Sequence, residues 1–254
     1  MKSILLLCIN SFRASWTFLT RIPVGGFPYP KDTWTWISMW FPIIGCILGL
    51  IYGGVWYSLN LVISNPTATL ITISLGFLIT GGFHEDGLAD TCDALGGGYT
   101  KEDVLRILKD SRIGTFGTLG LIAVLATRFS LLLEIDHLKG WVLGQSLSRV
   151  APVVLLGFIP YADNPNAQSK SRDVARSGKV QALIVTLFAG LISYLGMVIG
   201  WINLSTVLSV WVGVIILTSI LGWRFNKRVG GLTGDFLGTT QQLTEVIILC
   251  FLLS

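Results

Sequence analysis

The stretch His84-Glu85-Asp86-Gly87-Leu88-Ala89-Asp90-Thr91-Cys92-Asp93 carries four carboxylates and runs shortly into Gly96-Gly97-Gly98. Asp86, Asp90 and Asp93 stand at i, i+4 and i+7, which on a helix sets all three on one face. Like charges stacked on one face repel unless a counterion joins them. A hard divalent cation resolves that repulsion, and Mg²⁺ is typically held by a few carboxylates together with substrate phosphates. The expected metal ligands are therefore Glu85, Asp86, Asp90 and Asp93, with Asp86, Asp90 and Asp93 also in catalytic roles. The plainer alternative is a solvated acidic turn, but ordinary acidic turns rarely combine helical carboxylate spacing with a triple glycine. His84 is expected beside the substrate.

Three further places suit phosphate. Lys109-Asp110-Ser111-Arg112-Ile113-Gly114-Thr115-Phe116-Gly117 mixes cations, a hydroxyl and glycines at the mouth of an apolar run. Helix-start amides and guanidinium groups both bind phosphate oxygens, so Lys109, Ser111 and Gly114 are expected to bind the substrate and Arg112 to take a catalytic role there. For Lys109 alone, a role as a membrane-flanking anchor explains the residue as well. Arg149 follows Ser148 inside an apolar stretch, where a guanidinium is costly unless paired or hydrated; it is expected to face the bundle interior and act on the substrate. Arg128 raises the same question, with pairing to Glu134 or Glu245 as an equal alternative. Gly230-Gly231-Leu232-Thr233-Gly234-Asp235-Phe236-Leu237-Gly238 surrounds one Thr and one Asp with glycines that permit close backbone approach. Thr233, Gly234 and Asp235 are expected to bind substrate. Carboxylates for Mg²⁺ with Arg and Gly-rich turns for phosphate point to metal-assisted chemistry on a phosphoanhydride. Phosphate-loop, serine-hydrolase and zinc-protease motifs are absent from the sequence.

The elements that must hold these residues are membrane helices. Charged residues make up 13% of the 254-residue chain and apolar ones 52%, about half the charge of a soluble domain. Seven apolar stretches approach the roughly 20 residues that cross a bilayer: 38–60, 67–83, 113–133, 141–159, 180–201, 205–222 and 239–253, the last carrying Glu245. With the N-terminus inside, 15 of the 18 Lys and Arg residues fall in inner segments, and Lys139 alone lies outside. Basic residues favour the cytoplasmic side, so the acidic stretch, the Lys109–Gly117 stretch and the Gly230–Gly238 loop all meet on one face. The N-terminal run Lys2–Ile9 is short, is followed by Arg13 and shows no clear cleavage site; with Trp16 and Arg21 it reads as a retained interfacial helix. Gly45, Gly49 and Gly53 recur every fourth residue, a spacing that admits a close neighbour helix. Cys8, Cys46, Cys92 and Cys250 form no CxxC pair and read as free buried thiols. The expected fold is one all-α domain over residues 1–254: a polytopic transmembrane helix bundle of about six or seven spans with an N-terminal interfacial helix. The scattered charge of +4 excludes nucleic acid as a partner.

Four stretches in order also resemble one family. Phe18-Leu19-Thr20-Arg21-Ile22-Pro23, the run Gly81–Asp93, Lys109–Gly117 and Gly231–Gly238 are similar to the signatures of the cobalamin synthase (adenosylcobinamide-GDP ribazoletransferase) family. Asp93-Ala94 and Cys92 depart from the Asp-Gly and Ala expected there, without removing a carboxylate. The resemblance implies that a hydroxyl of α-ribazole, or of its 5′-phosphate, attacks the cobinamide-bearing phosphorus of adenosylcobinamide-GDP and releases GMP, with Mg²⁺ required. It implies a multi-pass protein of the cytoplasmic (inner) membrane with a cytoplasmic active face, in contact with lipid and free to form a homo-oligomer. The alternatives are a Mg-dependent CDP-alcohol or polyprenyl-diphosphate transferase and a transporter. The first needs a downstream aspartate pattern that is missing after Asp86, the second a further aspartate motif, and the third an inverted repeat.

Overall fold

The computed structural model describes residues 2–162 and 176–253, and every regular element among them is helical. Lys170 and Arg172, counted among the inner basic residues, lie outside the described residues. In chain order the helices are α1 (Lys2–Leu19), α2 (Lys31–Thr35), a short 3₁₀ turn (Ile37–Trp40), α3 (Phe41–Asn60), α4 (Asn65–Thr80), α5 (Phe83–Gly97), α6 (Lys101–Ile107), α7 (Thr115–Glu134), α8 (His137–Leu147), α9 (Val150–Phe158), α10 (Lys179–Val198), α11 (Leu204–Val229) and α12 (Gly234–Leu252).

Five stretches are long and apolar enough to cross a membrane: Ile37–Asn60, Thr115–Glu134, His137–Phe158, Lys179–Val198 and Leu204–Val229. The bent pair α4 and α5 makes a sixth when taken as one span. The seventh expected span corresponds to α12, which has 19 residues but is not among these stretches. Its polar residues face other helices: Gln241, Gln242 and Glu245 are all buried. Hydropathy averaged around a helix does not distinguish a polar stripe turned inward from one turned to lipid. The burial pattern sorts the rest. In α7, α10 and α11 only 22%, 33% and 28% of the span is buried, whereas the α8–α9 span is 83% buried. The α8–α9 span and α12 therefore form the centre, and α7, α10 and α11 offer apolar faces to lipid.

Two sets of glycines shape the region that matters. A Cβ at Gly45 would collide with the backbone of Gln145, and one at Gly49 would sit 2.5 Å from the Trp141 carbonyl and Val142 Cα. The four-residue glycine repeat is thus the groove into which α8 settles, carrying Gln145 and Arg149 into the interior. At the end of α4, Gly81 and Gly82 both adopt positive φ, 77° and 66°, a conformation open to glycine. They turn the chain by 91° between α4 and α5. α5 therefore leaves the line of α4 at about a right angle.

The ends of other elements close around α5. Arg21 N–H donates to the Ile79 carbonyl at 2.7 Å, which ties the end of α1 to the turn. α1 itself leaves Ile4, Leu5, Leu6 and Ile9 exposed while Ser11, Ala14, Ser15 and Leu19 are buried, an amphipathic pattern suited to an interface. Helix α11 runs to Val229, beyond the expected end at Gly222, so Arg224, Lys227 and Arg228 sit on a helical extension. Arg228 donates to the Gly98 carbonyl at the end of α5. Residues 160–162 and 230–232 hold each other by backbone hydrogen bonds, Ala162 N to Leu232 O at 2.7 Å and Leu232 N to Pro160 O at 2.9 Å. All four cysteines are free, with Cys8, Cys46 and Cys92 partly buried and Cys250 exposed; its exposure differs from the expected burial because it faces out of the bundle from α12.

Candidate active site

The acidic helix α5 lies across the start of α12. At Gly87 the two come so close that a Cβ would be 3.0 Å from Asp235 Cα, and Thr239 Oγ1 donates to the Gly87 carbonyl at 3.0 Å. Glycine at 87 is thus what lets Asp235 stand beside Asp86 and Asp90. Thr233 caps α12, its hydroxyl accepting from Phe236 N–H at 3.3 Å, so Asp235 sits in the first turn, where the helix dipole favours negative charge. Asp86 is exposed, and Asp90, Thr233, Gly234 and Asp235 are half-buried. Among the described residues none of Asp86, Asp90 and Asp235 has a basic partner within ion-pair distance. Partial burial, reinforced by the charges of Asp86, Asp235 and Asp93, pushes the Asp90 carboxyl up to about 7. The three acids concentrate negative charge at this face, Asp86 raising the cost of ionising both Asp90 and Asp235.

The other two acids of the expected metal set do different work. Asp93 shares the face of Asp86, but its oxygens accept from Gly114 N–H at 2.7 Å and Gly117 N–H at 2.8 Å. It caps α7 from a neighbouring helix, where the N-cap residue Gly114 has no side chain to do so. Glu85 is one residue, about 100°, around the helix from Asp86, and that rotation turns it into the bundle. Its Oε1 accepts from Gln242 Nε2 at 3.0 Å and lies 3.6 Å from Arg128 Nη1. Among the described residues no group of three or more His, Cys, Asp or Glu is gathered closely enough to hold a metal ion. The four expected ligands thus stand apart: Glu85 and Asp93 are taken up by protein groups, while Asp86 and Asp90 of α5 face Asp235 of α12 without forming a gathered group of three.

The loop before α7 reaches this face through Asp93. Ser111, Arg112 and Gly114 are exposed, as is Lys109. Arg112 is not free: its Nε and Nη2 donate to the two oxygens of Asp110 at 2.9 and 2.6 Å. Hydrogen bonds from the Arg112 side chain and backbone hold the Asp110 carboxyl down at about 2. Because 86% of the Arg112 side chain is exposed, the pair is of the weak, exchangeable kind.

Behind the acids lies a buried polar network. Gln145 Nε2 and Gln241 Nε2 donate to the two oxygens of Glu245 at 2.7 and 3.0 Å. Gln242 links Glu85 to Gln241, and Gln241 reaches Ser148 Oγ at 2.9 Å. Arg128 pairs with Glu245 at 3.7 Å as well as with Glu85; Glu134, the other expected partner, takes no part. Arg149 is 2% exposed. It donates through Nη1 to Gln145 Oε1 at 3.0 Å and to the Gln145 carbonyl, and no carboxylate of the described residues pairs with it. Tyr52 Oη, Glu85 Oε2, Arg128 Nε and Arg149 Nε are buried without partners, and these four residues line one cavity with His84 and Trp141. His84 is buried and also lines a second, apolar cavity towards α1. Arg149 belongs to this network and His84 lines its cavity, while Arg112 and Lys109 stand on the exposed loop before α7. Tyr52 and Gln145 are members that the sequence reading missed. Gln145 carried a signal, a polar residue one turn before Arg149 in a span; Tyr52 in an apolar helix carried none.

Polar side chains carried to the centre of a lipid-facing bundle, next to acids without counterions, are the hallmark of an integral membrane enzyme rather than a structural bundle. The sequence profile described as Cobalamin-5-phosphate synthase matches residues 11–253, and the chain belongs to that family. It is 36% identical to the "Adenosylcobinamide-GDP ribazoletransferase" of Shewanella frigidimarina, covering 96% of this chain and 93% of that one. The proteins of the same name from Leptospira interrogans (37% identical, 94% and 92% covered) and Vibrio cholerae (36% identical, 100% and 97% covered) are similar along almost their whole length. No solved structure matches the chain.

Proposed function

We propose that the protein transfers the adenosylcobinamide phosphate of adenosylcobinamide-GDP to α-ribazole or its 5′-phosphate. A hydroxyl oxygen of the acceptor forms a bond to the cobinamide-bearing phosphorus. The bridging P–O bond of the diphosphate breaks, GMP leaves with that electron pair, and the hydroxyl proton is released. The observation that carries the reading is the end-to-end likeness to three proteins bearing that activity in their names. It favours this transferase over a CDP-alcohol or polyprenyl-diphosphate enzyme and over a transporter.

The site chemistry supports it. Asp86, Asp90 and Asp235 are not gathered into a metal site by themselves; they would supply carboxylate ligands to a Mg²⁺ held largely by phosphate oxygens of the donor, as is usual for this ion. When bound, the ion would neutralise charge developing on the diphosphate oxygens. The protein does the rest by positioning. Thr233 and Gly234 leave the start of α12 open to the substrate, and Asp93 fixes the Lys109–Gly117 loop against α5. Arg112 and Lys109 meet the diphosphate from that loop, Arg112 exchanging Asp110 for phosphate oxygens. Arg149 offers the substrate a cation from within the bundle, and the buried network around Glu245 fixes where that cation stands. We read the acid face as cytoplasmic. Arg106, Lys109, Arg112, Arg224, Lys227 and Arg228 flank it, and Lys101 Nζ approaches within 3.5 Å of where a Cβ of Gly230 would be, as expected for a protein of the cytoplasmic membrane.

The test is direct. Purified protein in detergent, given adenosylcobinamide-GDP, α-ribazole and Mg²⁺, releases GMP in step with a product whose mass is that of adenosylcobalamin. GMP release independent of α-ribazole, or none at all, contradicts the reading.

A further inference from the structure

The lipid-facing side of the bundle carries a groove between α9 and α11 that shares no residue with the acids or the buried network. Val154, Leu155 and Phe158 form one wall, Ser219 and Trp223 the other. Its free space is about 210 Å³, against about 20 Å³ in the polar cavity behind the acids. Gly222 brings the two helices together at its floor, where a Cβ would be 2.7 Å from Ile159 Cδ1 and 2.8 Å from Leu155 Cδ2. Along α11, Val212, Ile216, Ser219, Trp223 and Lys227 follow at three- or four-residue spacing, which sets them on one stripe of the helix. All five are exposed. A lysine stands at each wall: Lys227 Nζ lies over the Trp223 ring, 5.0 Å from its centroid, and Lys179 Nζ over the Phe158 ring at 5.8 Å. Neither lysine forms an ion pair among the described residues. Lys179 begins α10 and Lys227 is in the last turn of α11; these are consecutive helices joined by the short turn 199–203, so both lysines lie at the same side of the membrane.

An exposed apolar stripe on a membrane helix meets any lipid. A lysine folded over an aromatic ring is ordinary at a membrane interface. Two unpaired ammonium groups at the mouth of one groove go further, because they select for negative charge, and basic pockets between membrane helices suit anionic headgroups. We propose that the groove binds one anionic phospholipid from the leaflet on the acids' side. An acyl chain lies along the Val212–Trp223 stripe, and the phosphate sits between Lys179 and Lys227. A second copy of the chain is a poorer occupant. Inserted in the same direction and related by a two-fold axis, it would present the same patch and set lysine against lysine. A lipid held here steadies the end of α11, from which Arg228 donates to the Gly98 carbonyl at the end of α5. The inference does not depend on the transferase reading.

Two measurements on the detergent-purified full chain test it. The first is native mass spectrometry after incubation with equal amounts of dioleoyl phosphatidylglycerol and dioleoyl phosphatidylcholine. A basic residue near an anionic lipid surface contributes about fivefold, so the wild type retains one phosphatidylglycerol with a preference of roughly 25-fold, and Lys179→Gln combined with Lys227→Gln brings the ratio near one. Ser219→Trp, which fills the groove and leaves both lysines, loses the retained lipid as well. The second is thermal melting: phosphatidylglycerol raises the melting temperature of the wild type and of neither variant, and glycerophosphoglycerol, the headgroup without chains, raises none. All three altered side chains are exposed; Ser219→Leu is the milder filling if the Trp variant does not fold. Equal retention of the two lipids by the wild type overturns the proposal, as does a preference that survives loss of both lysines. A full melting shift from the headgroup alone overturns the acyl groove. A change in subunit number in Ser219→Trp, with lipid retention unaltered, assigns the groove to a second copy instead.

Discussion

Glu85 and Asp86 are adjacent in sequence, yet they belong to two differently built regions. Glu85 enters a buried network in which Gln242 and Arg128 reach one of its oxygens, and Gln145, Gln241 and Arg128 reach Glu245. Asp86, with Asp90 and Asp235, stands at the face of the bundle with no basic partner among the described residues. In the first region charge is settled by the protein itself, and its purpose is to fix geometry in a medium where an unpaired ion is expensive. In the second, the acids face one another and raise the cost of ionising Asp90. The difference teaches that helix rotation divides an acidic run into acids held by protein donors and acids that are not, which density of charge alone does not reveal.

The comparison can be broken from either side. The largest effect is expected in the interior: Arg128→Met leaves Glu85 and Glu245 without their shared cation, and should destabilise the fold by about 3–5 kcal/mol. Denaturation in detergent measures this, and a variant as stable as wild type would show that the interior acids are not held by Arg128. At the face, Asp90→Asn should lower turnover by roughly 100-fold, or about 2.7 kcal/mol of barrier, while its melting temperature holds or rises because a repelled charge is gone. A fall in melting temperature with normal turnover would move Asp90 into the structural group.

Asp93 sharpens the boundary between the two. Its loss in Asp93→Ala uncaps α7 and should cost about 1–2 kcal/mol, seen as a lower melting temperature, with Mg²⁺ affinity unchanged in the folded protein. A weakened Mg²⁺ requirement would return Asp93 to the metal site. The smallest effect belongs to Arg112→Lys. A lysine loses the two-pronged grip on phosphate, but the side chain is exposed and screened, so a rise of about three- to fivefold in the donor's KM is expected. No change in that KM would leave Arg112 as the partner of Asp110 alone.

Much of this was legible in the residues. Apolar length and Lys/Arg asymmetry located six of the helices that cross or bend at the membrane, and the glycine repeat at Gly45, Gly49 and Gly53 foretold the close approach that α8 makes. The i, i+4, i+7 spacing placed Asp86, Asp90 and Asp93 near one another on α5. It did not show that Asp93 would spend both oxygens on α7, because that contact joins residues 21 and 24 positions apart. Nor could spacing show Glu85 turning inward, since its partners Arg128 and Gln242 come from distant helices. Nor did spacing show which acids Asp235 would join: they are on α5, brought near by a glycine 148 residues earlier. The helical extension past Gly222 was hidden because a polar helix beyond the bilayer has no apolar stretch to announce it.

The most direct measurement is the Mg²⁺ dependence of GMP release by the wild type, Asp86→Asn and Asp235→Asn. The unbalanced acids of α5 and α12 predict no release in the presence of a chelator, and a shift of about tenfold or more in the Mg²⁺ concentration needed for half-maximal rate in each variant. Full-rate release with the chelator present, or the wild-type Mg²⁺ curve in both variants, would contradict the account.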